Sequence, residues 1–224
     1  MKQLNEPIWD IKEGGLAHRQ RRRAEVTRLL LEPNQDDLVL DTGCGEGFQL
    51  SYITTQVKYA VGIDISSRKI KIANDKVRSN NVSFLRASCE RLPFKNRIFS
   101  KIMCLEVLEH LRCPEKTVKE IDRCLKKKGL LVVSVPFKEK VILTTCIHCG
   151  KLTPLYGHLH VLDEEKITSI MPRNYEPLRF EHLPTLISRS PKFRRLPLGL
   201  WMIINNFSKK LFKTYWFIAK FKKS

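Results

Sequence analysis

Residues 39–50 read VLDTGCGEGFQL, and this stretch limits the chain more than any other. An apolar run ends in Asp41, glycines follow at Gly43, Gly45 and Gly47, and apolar spacing resumes behind them, so the order strand, tight loop, helix is implied. Glycine is required where a backbone turns with positive φ or lies against a ligand, and a helix behind such a loop offers free amide donors. A second acid, Asp64 in YAVGIDIS, closes the next apolar run about 20 residues on, where nucleotide-binding folds set a carboxylate on ribose hydroxyls.

The charge at the loop selects among nucleotides. A dinucleotide would bring its pyrophosphate against Asp41 and Glu46 and be repelled, whereas S-adenosylmethionine carries an ammonium and a sulfonium along with ribose and adenine. At this point the chain resembles the class I S-adenosylmethionine-dependent methyltransferases with a type 11-like domain. The resemblance rests on VLDTGCGEG, GIDIS, RASCERLPF, KIMCLEVLEHL and LLVVSVP in that order, and it covers roughly residues 36 to 136.

The resemblance implies that Asp41, Gly43, Cys44, Gly45 and Gly47 surround the methionine part of the cofactor and that Asp64 takes the ribose. It adds Ile65, Ser88, Cys89 and Glu106 to the cofactor site. Ser88 stands where the family usually has the Asp that bonds the adenine amino group, so acceptance is kept and charge is lost. Ser100 for the common Asp of the fourth strand and Leu130 for a glycine before the fifth are read as structural. A retained fold without activity is the bland alternative.

Alternating strand and helix signals predict a doubly wound α/β sheet. Strands are expected at Leu38–Asp41, Ala60–Asp64, Ser83–Arg86, Lys101–Leu105 and Leu130–Val135. Helices are expected around Leu16–Leu30, after the glycines, at Arg68–Arg78 and at Pro114–Leu125, with Lys126–Gly129 stopping the last. Leu178–His182 and Tyr215–Phe221 have strand composition, and between them Leu200, Ile203, Ile204, Phe207 and Leu211 share one helical face. By resemblance the fold is Rossmann-like, a mostly parallel seven-stranded sheet in the order 3-2-1-4-5-7-6 with the last strand antiparallel.

One domain over residues 1–224 is expected, with a cofactor-binding core at about 25–136, an insertion at about 144–162 and a basic C-terminal part at about 176–224. A chain of 224 residues with 42% hydrophobic content can bury a core. No apolar stretch reaches the roughly 18 residues of a membrane span, and MKQLNEPIWD lacks the blocks of a signal peptide, so a cytoplasmic protein is expected. Seven cysteines fit a reducing compartment, with Cys89, Cys104, Cys113 and Cys124 read as small buried apolar residues.

Ligands bind at the carboxyl ends of open parallel sheets, which brings Glu106, Glu109 and His110 toward the methyl acceptor. Some oxygen-methylating relatives use this E-x-x-E-H pattern with a later histidine to hold a divalent cation; in others the three residues only pack or support the cofactor. His110 is the candidate base, with His158 and His160 as alternatives for a hydroxyl acceptor. Directly after the fifth strand, TTCIHCGKLTPLYGHLH supplies Cys146, Cys149, His158 and His160, a ligand set for structural Zn2+ in a lid over the acceptor pocket. His148 could replace one histidine, His158 could serve the acidic cluster of Glu106 and Glu109 instead, and idle thiols or a redox pair are the competing readings.

Forty-one Lys and Arg against 23 Asp and Glu give a net charge of +18, clustered at His18–Arg23, Lys126–Lys128, Arg189–Arg195 and Lys209–Lys223. An anionic partner is implied. The basic, aromatic C-terminal segment suits a peripheral anchor on an anionic membrane, while nucleic acid finds no separate module or stacking platform. The competing reading makes its lysines the solvated edge of a closing strand, Tyr215–Phe221. The leading function is transfer of a methyl group from S-adenosylmethionine to a small or lipid- or glycan-linked acceptor. RNA methylation and a non-catalytic zinc-knuckle binding protein on the same fold are the alternatives.

Overall fold

A computed structural model of the chain describes residues 15–184, 196–208 and 211–224. Helix α1 (Gly15–Leu31) leads into β1 (Leu38–Thr42), α2 (Phe48–Ser51), β2 (Tyr59–Asp64), α3 (Ser67–Lys76), β3 (Val82–Arg86) and β4 (Phe99–Leu105). Then come α4 (Pro114–Cys124), β5 (Leu125–Pro136), a small hairpin β6 (Leu143–Thr145) and β7 (Leu152–Pro154), and α5 (Glu164–Ile170). Strand β8 (Tyr175–Pro184), helix α6 (Leu198–Ser208) and β9 (Thr214–Lys223) close the fold.

Seven strands form one sheet in the order β3-β2-β1-β4-β5-β9-β8, which is the expected order once the separate β6–β7 hairpin is set aside. The first five run parallel, and β9 is antiparallel to both β5 and β8. Alternate residues feed two cores. Leu40, Ile102, Cys104, Val133 and Val135 pack with Val118 and Ile121 of α4 and Ile167 of α5. Val39, Met103 and Val132 pack with Val26, Leu30 and Leu31 of α1 and Trp201 of α6. Strands buried on both faces read as nearly continuous apolar runs, which is why the sequence marks them so clearly.

The helices obey local rules. Pro114 opens α4, and Pro114, Thr117, Val118, Ile121 and Cys124 are its buried stripe. Ser66 and Asp163 cap α3 and α5 by accepting from the backbone N–H of Lys69 and Lys166.

Four expectations are corrected. Lys126–Gly129 does not lie between helix and strand; α4 ends at Cys124 and these residues belong to β5, where Lys128 takes a φ of 60°. The helix after the glycines is a single turn, Phe48–Ser51. Cys113 is exposed, because its backbone sits at the N-cap of α4 outside the core. The C-terminal strand is no surface anchor: Trp216, Phe217, Ile218, Ala219 and Phe221 are buried between β5 and β8. Two of its lysines turn inward too, Lys220 pairing with Glu32 at 2.7 Å and Lys223 with Asp122 at 2.9 Å, while Lys222 is exposed. Helix α6 is present as the spacing predicts, with Leu200, Ile203 and Phe207 exposed together and Trp201, Met202, Asn205 and Ser208 buried. The cluster Arg189–Arg195 lies outside the described residues, as do Lys209 and Lys210.

Below β1 the sheet is fastened by a buried ion pair. Lys101 lies 2.8 Å from Asp37 and also donates to the Glu32 carbonyl, while the Ser100 hydroxyl donates to Asp37 at 2.8 Å. Ser100 is thus structural. Asp37→Ala strands the Lys101 ammonium, and urea denaturation is expected to show a loss of about 3–5 kcal/mol, most of it recovered when Lys101→Met is added.

Candidate active site

The glycine loop is built by β1 and β2 together. Thr42 donates its hydroxyl to the Met103 carbonyl at 3.0 Å, and the N–H groups of Gly43 and Cys44 both donate to the Ile63 carbonyl at 2.7 and 2.8 Å. Gly43 has a φ of 96°, and a Cβ there would lie 2.4 Å from Val107 Cγ2. Gly45 also has positive φ, but a Cβ on it would meet nothing within 4 Å. Gly43 is therefore required by packing, and Gly45 leaves bare backbone facing open space, where a ligand can approach.

Two acids flank this loop. Asp41 is 1% exposed, and neither of its carboxylate oxygens has a hydrogen-bond partner. Burial pushes its carboxyl up to about 7, against the nearby Arg23, with Asp64 adding to the rise. Asp64, at the end of β2, accepts from Gly45 N–H at 3.1 Å and from Ser66 N–H at 2.9 Å, so it ties the loop to the next turn. Beside it Ile65 is 70% exposed, an apolar surface at the sheet's carboxyl edge. Ser88 and Cys89 follow β3: the Ser88 hydroxyl accepts from Glu90 N–H, and Cys89 sulfur accepts from the Thr117 hydroxyl. Burial pushes the Cys44 thiol far up, leaving it a packing group and not a nucleophile. Glu46 is tied to Lys76.

Beyond β4 the chain turns through Glu106, at a φ of 56°. Its carboxylate accepts from the Ser134 hydroxyl at 2.8 Å and from Trp216 Nε1 at 2.7 Å, with Arg23 at 3.6 Å, and so pins β4 to β5 and β9. Arg23 also lies over the Trp216 ring. Arg21 and Arg22 of the same helix pair with Glu25 at 2.8 and 2.7 Å. Arg22 and Arg23 are thus turned to partners within the fold, while Arg21 makes its pair on the exposed surface of the helix.

Glu109 and His110 sit in the short 3-10 turn that follows. Glu109 is 1% exposed with both oxygens unpartnered, and burial, reinforced by Glu106, lifts its carboxyl well above the usual range. His110 Nδ1 lies 3.1 Å from the Gly157 carbonyl, to which it can only donate, so Nε2, 4.0 Å from Glu109, carries the lone pair. Burial lowers the His110 pKa, favouring the neutral ring. His158 brings its ring 4.8 Å from that of His110 and sets Nδ1 2.6 Å from Glu139. One ligand atom each from Glu109, His110 and His158 lies within 4.8 Å of the other two, the one such group among the described residues.

The four residues expected to bind zinc are not gathered. Cys146 and Cys149 do form a knuckle-like turn: the N–H groups of His148 and Cys149 and the Cys149 side chain hold the Cys146 thiol below its usual range, and Gly150 has positive φ. His158, however, faces His110 and Glu139, and His160 Nε2 donates to the Leu111 carbonyl at 2.7 Å. Both histidines are drawn to the end of β4. Ser134, Glu139, Gly157 and Trp216 had no local signal, because each joins the site from a distant part of the chain.

Residues 40–133 match the family model described as a methyltransferase domain. The chain carries a class I S-adenosylmethionine-dependent methyltransferase domain. An uncharacterized protein of Methanocaldococcus jannaschii is 38% identical over 120 residues, 53% of this chain and 50% of that protein. The ubiquinone/menaquinone biosynthesis C-methyltransferase of Vibrio parahaemolyticus is 29% identical over 166 residues, 70% of this chain and 63% of the other. In fold, the chain is similar to the N-methyltransferase NodS of Bradyrhizobium japonicum, solved with S-adenosyl-L-homocysteine, at a TM-score of 0.68 and 17% identity, covering 98% and 93% of the two chains. The chain spans half or less of the length of the first curated relatives it matches.

The residues of the methyltransferase domain fit S-adenosylmethionine. Asp41 offers a buried carboxylate with no partner, Gly45 bare backbone, and Asp64 a carboxylate at the strand end. Since the folded pKa of Asp41 lies above its unfolded value, the contribution of this group to stability is full at low pH and is lost as pH rises through about 7. A cationic ligand needs the ionised form. Calorimetry is therefore expected to show affinity for S-adenosylmethionine weakening about tenfold per pH unit below 7. Asp41→Asn should reverse both effects, raising the melting temperature of the free protein at pH 8 while weakening the ligand.

Proposed function

We propose that the chain transfers the methyl group of S-adenosylmethionine to a hydroxyl oxygen of a small or lipid-linked acceptor. The observation that carries the acceptor chemistry is the convergence of Glu109, His110 and His158 at the end of β4. S-adenosylmethionine supplies an electrophilic methyl on a sulfonium, which asks the protein chiefly for alignment and exclusion of water.

In this reading Asp41 and the Gly43–Gly47 loop hold the donor's methionine part, and Asp64 holds its ribose. Glu106, bonded through Ser134 and Trp216, fixes the strand end from which Glu109 projects. As the carbon–sulfur bond breaks and the carbon–oxygen bond forms, the hydroxyl proton must leave. His110, neutral and with Nε2 toward Glu109, is placed to receive it, and the Glu109 carboxyl can share it. The inward turn of Arg22 and Arg23 supports a small acceptor over RNA.

A second reading assigns the same three groups to a divalent cation. The Nδ1 contacts, His110 with Gly157 and His158 with Glu139, favour it, since outer hydrogen bonds of this kind orient metal-binding imidazoles. Bound there, a cation would lower the pKa of the acceptor hydroxyl.

With labelled S-adenosylmethionine and cell extract, Glu109→Gln and His110→Ala are expected to slow label transfer by about 10²–10³-fold while leaving donor affinity within about twofold. Equal loss of donor affinity would contradict the assignment. Loss of turnover on EDTA treatment, restored by magnesium or manganese, selects the cation reading; undiminished turnover selects direct proton transfer. A chain that gives no binding heat with the donor would be a non-catalytic relative of the fold.

A further inference from the structure

We infer that Cys146 and Cys149 form half of a tetrahedral Zn2+ site, completed by the same two residues of a second copy of the chain. The two thiols sit in the turn of the β6–β7 hairpin, and that turn is built around the first of them. The N–H groups of His148 and Cys149 are both directed at the Cys146 sulfur. Gly150 N–H donates to the Cys146 carbonyl and Cys146 N–H to the Lys151 carbonyl, each at 2.8 Å, while Gly150 takes a φ of 68° to close the loop. Backbone donors of this kind orient a sulfur ligand for a metal.

The ligand set stops at two. Structural zinc takes four ligands. Among the described residues the one group of three or more ligand atoms drawn together is that of Glu109, His110 and His158, so no third ligand joins the two thiols. His158 is held by Glu139 and His160 by the Leu111 carbonyl, and Cys44, Cys104 and Cys124 are buried in the cores beside the sheet. A twofold axis through the metal would bring two more thiols in the same geometry.

The surface around the turn fits a second copy. Residues 141–160 carry one charged side chain, Lys151, in a chain whose net charge is +18, so two copies meet here with the least repulsion. Ile147, between the two cysteines, is 86% exposed and Leu152 69%, and Ile142 and Leu143 are exposed beside them. A polyanion finds little charge to hold at such a surface. A bilayer would cover the apolar side chains but bring no ligand to the sulfurs, whereas a second copy does both. Binding releases the four thiol protons to solvent, and the two negative charges left on the metal centre are offset by an exposed Lys151 from each copy. One hairpin face is small beside a standard protein interface, so the metal supplies much of the affinity. The pairing also steadies the acceptor side: the Pro154 carbonyl at the end of β7 accepts from Gly157 N–H at 3.1 Å, and the Gly157 carbonyl holds His110.

The test is titration of the reduced full chain with Zn2+, followed by sedimentation equilibrium and metal analysis. One Zn2+ per two chains is expected, with the mass doubled, four sulfur neighbours around the metal by X-ray absorption, and return to single chains on EDTA treatment. Cys149→Ser should abolish the zinc-driven doubling. Ile147→Lys, which sets like charges against each other across the axis, should weaken it about tenfold or more. Both positions are exposed, so the melting temperature of the metal-free chain and its donor affinity should be unchanged. The inference is overturned by one Zn2+ on a single chain, by no retained zinc, by a dimer that EDTA leaves intact, or by phosphatidylcholine vesicles that take up the chain through Ile147 in place of a second copy.

Discussion

A carboxylate buried without a partner is the constraint on which the rest of this structure depends. Asp41 lies at the end of a central strand, between β2 and β4, with both oxygens unbonded and Asp64 close enough to raise its pKa further. Burial holds it protonated up to about 7 in spite of the nearby Arg23, and a positive charge brought against it from outside favours the ionised form. The glycine loop makes that possible: Gly43 lets the backbone pass under Val107, and Gly45 leaves the approach open.

The acceptor side repeats the principle with a second buried acid. Glu109 is unpartnered while Glu106, three residues earlier, is fully committed to Ser134 and Trp216. Two neighbouring carboxylates thus have different duties because their surroundings differ. The tie from Glu106 to Trp216 makes the last strand part of the site, and the insertion enters through His158, Glu139 and the Gly157 carbonyl. Residues from four separate stretches meet at one strand end.

What the sequence disclosed follows from the range of the physics. The five parallel strands and the cradle were legible because they depend on local apolar runs and on glycines that only tight backbone geometry requires. The strand pair β8–β9 was legible as composition, although its charges were not: lysines 220 and 223 pass for solvated residues until their partners Glu32 and Asp122 are seen. Periodicity found α6 and the residues that share a face of it but left its inner face open, since spacing measures which residues align and not which side meets protein. In the insertion, nearness along the chain set His158 with Cys146 and Cys149 first, with the acidic cluster at the end of β4 as the alternative. The fold grouped it with Glu139 and His110 instead, through contacts that no spacing rule contains.

The most direct measurement of the central claim is the titration of the Asp41 carboxyl itself by carbon NMR, in the free chain and with S-adenosylmethionine bound. A midpoint near 7 in the free chain, falling toward the ordinary carboxylate range when the donor binds, is the result expected. An ordinary midpoint that the donor leaves unmoved would contradict the account.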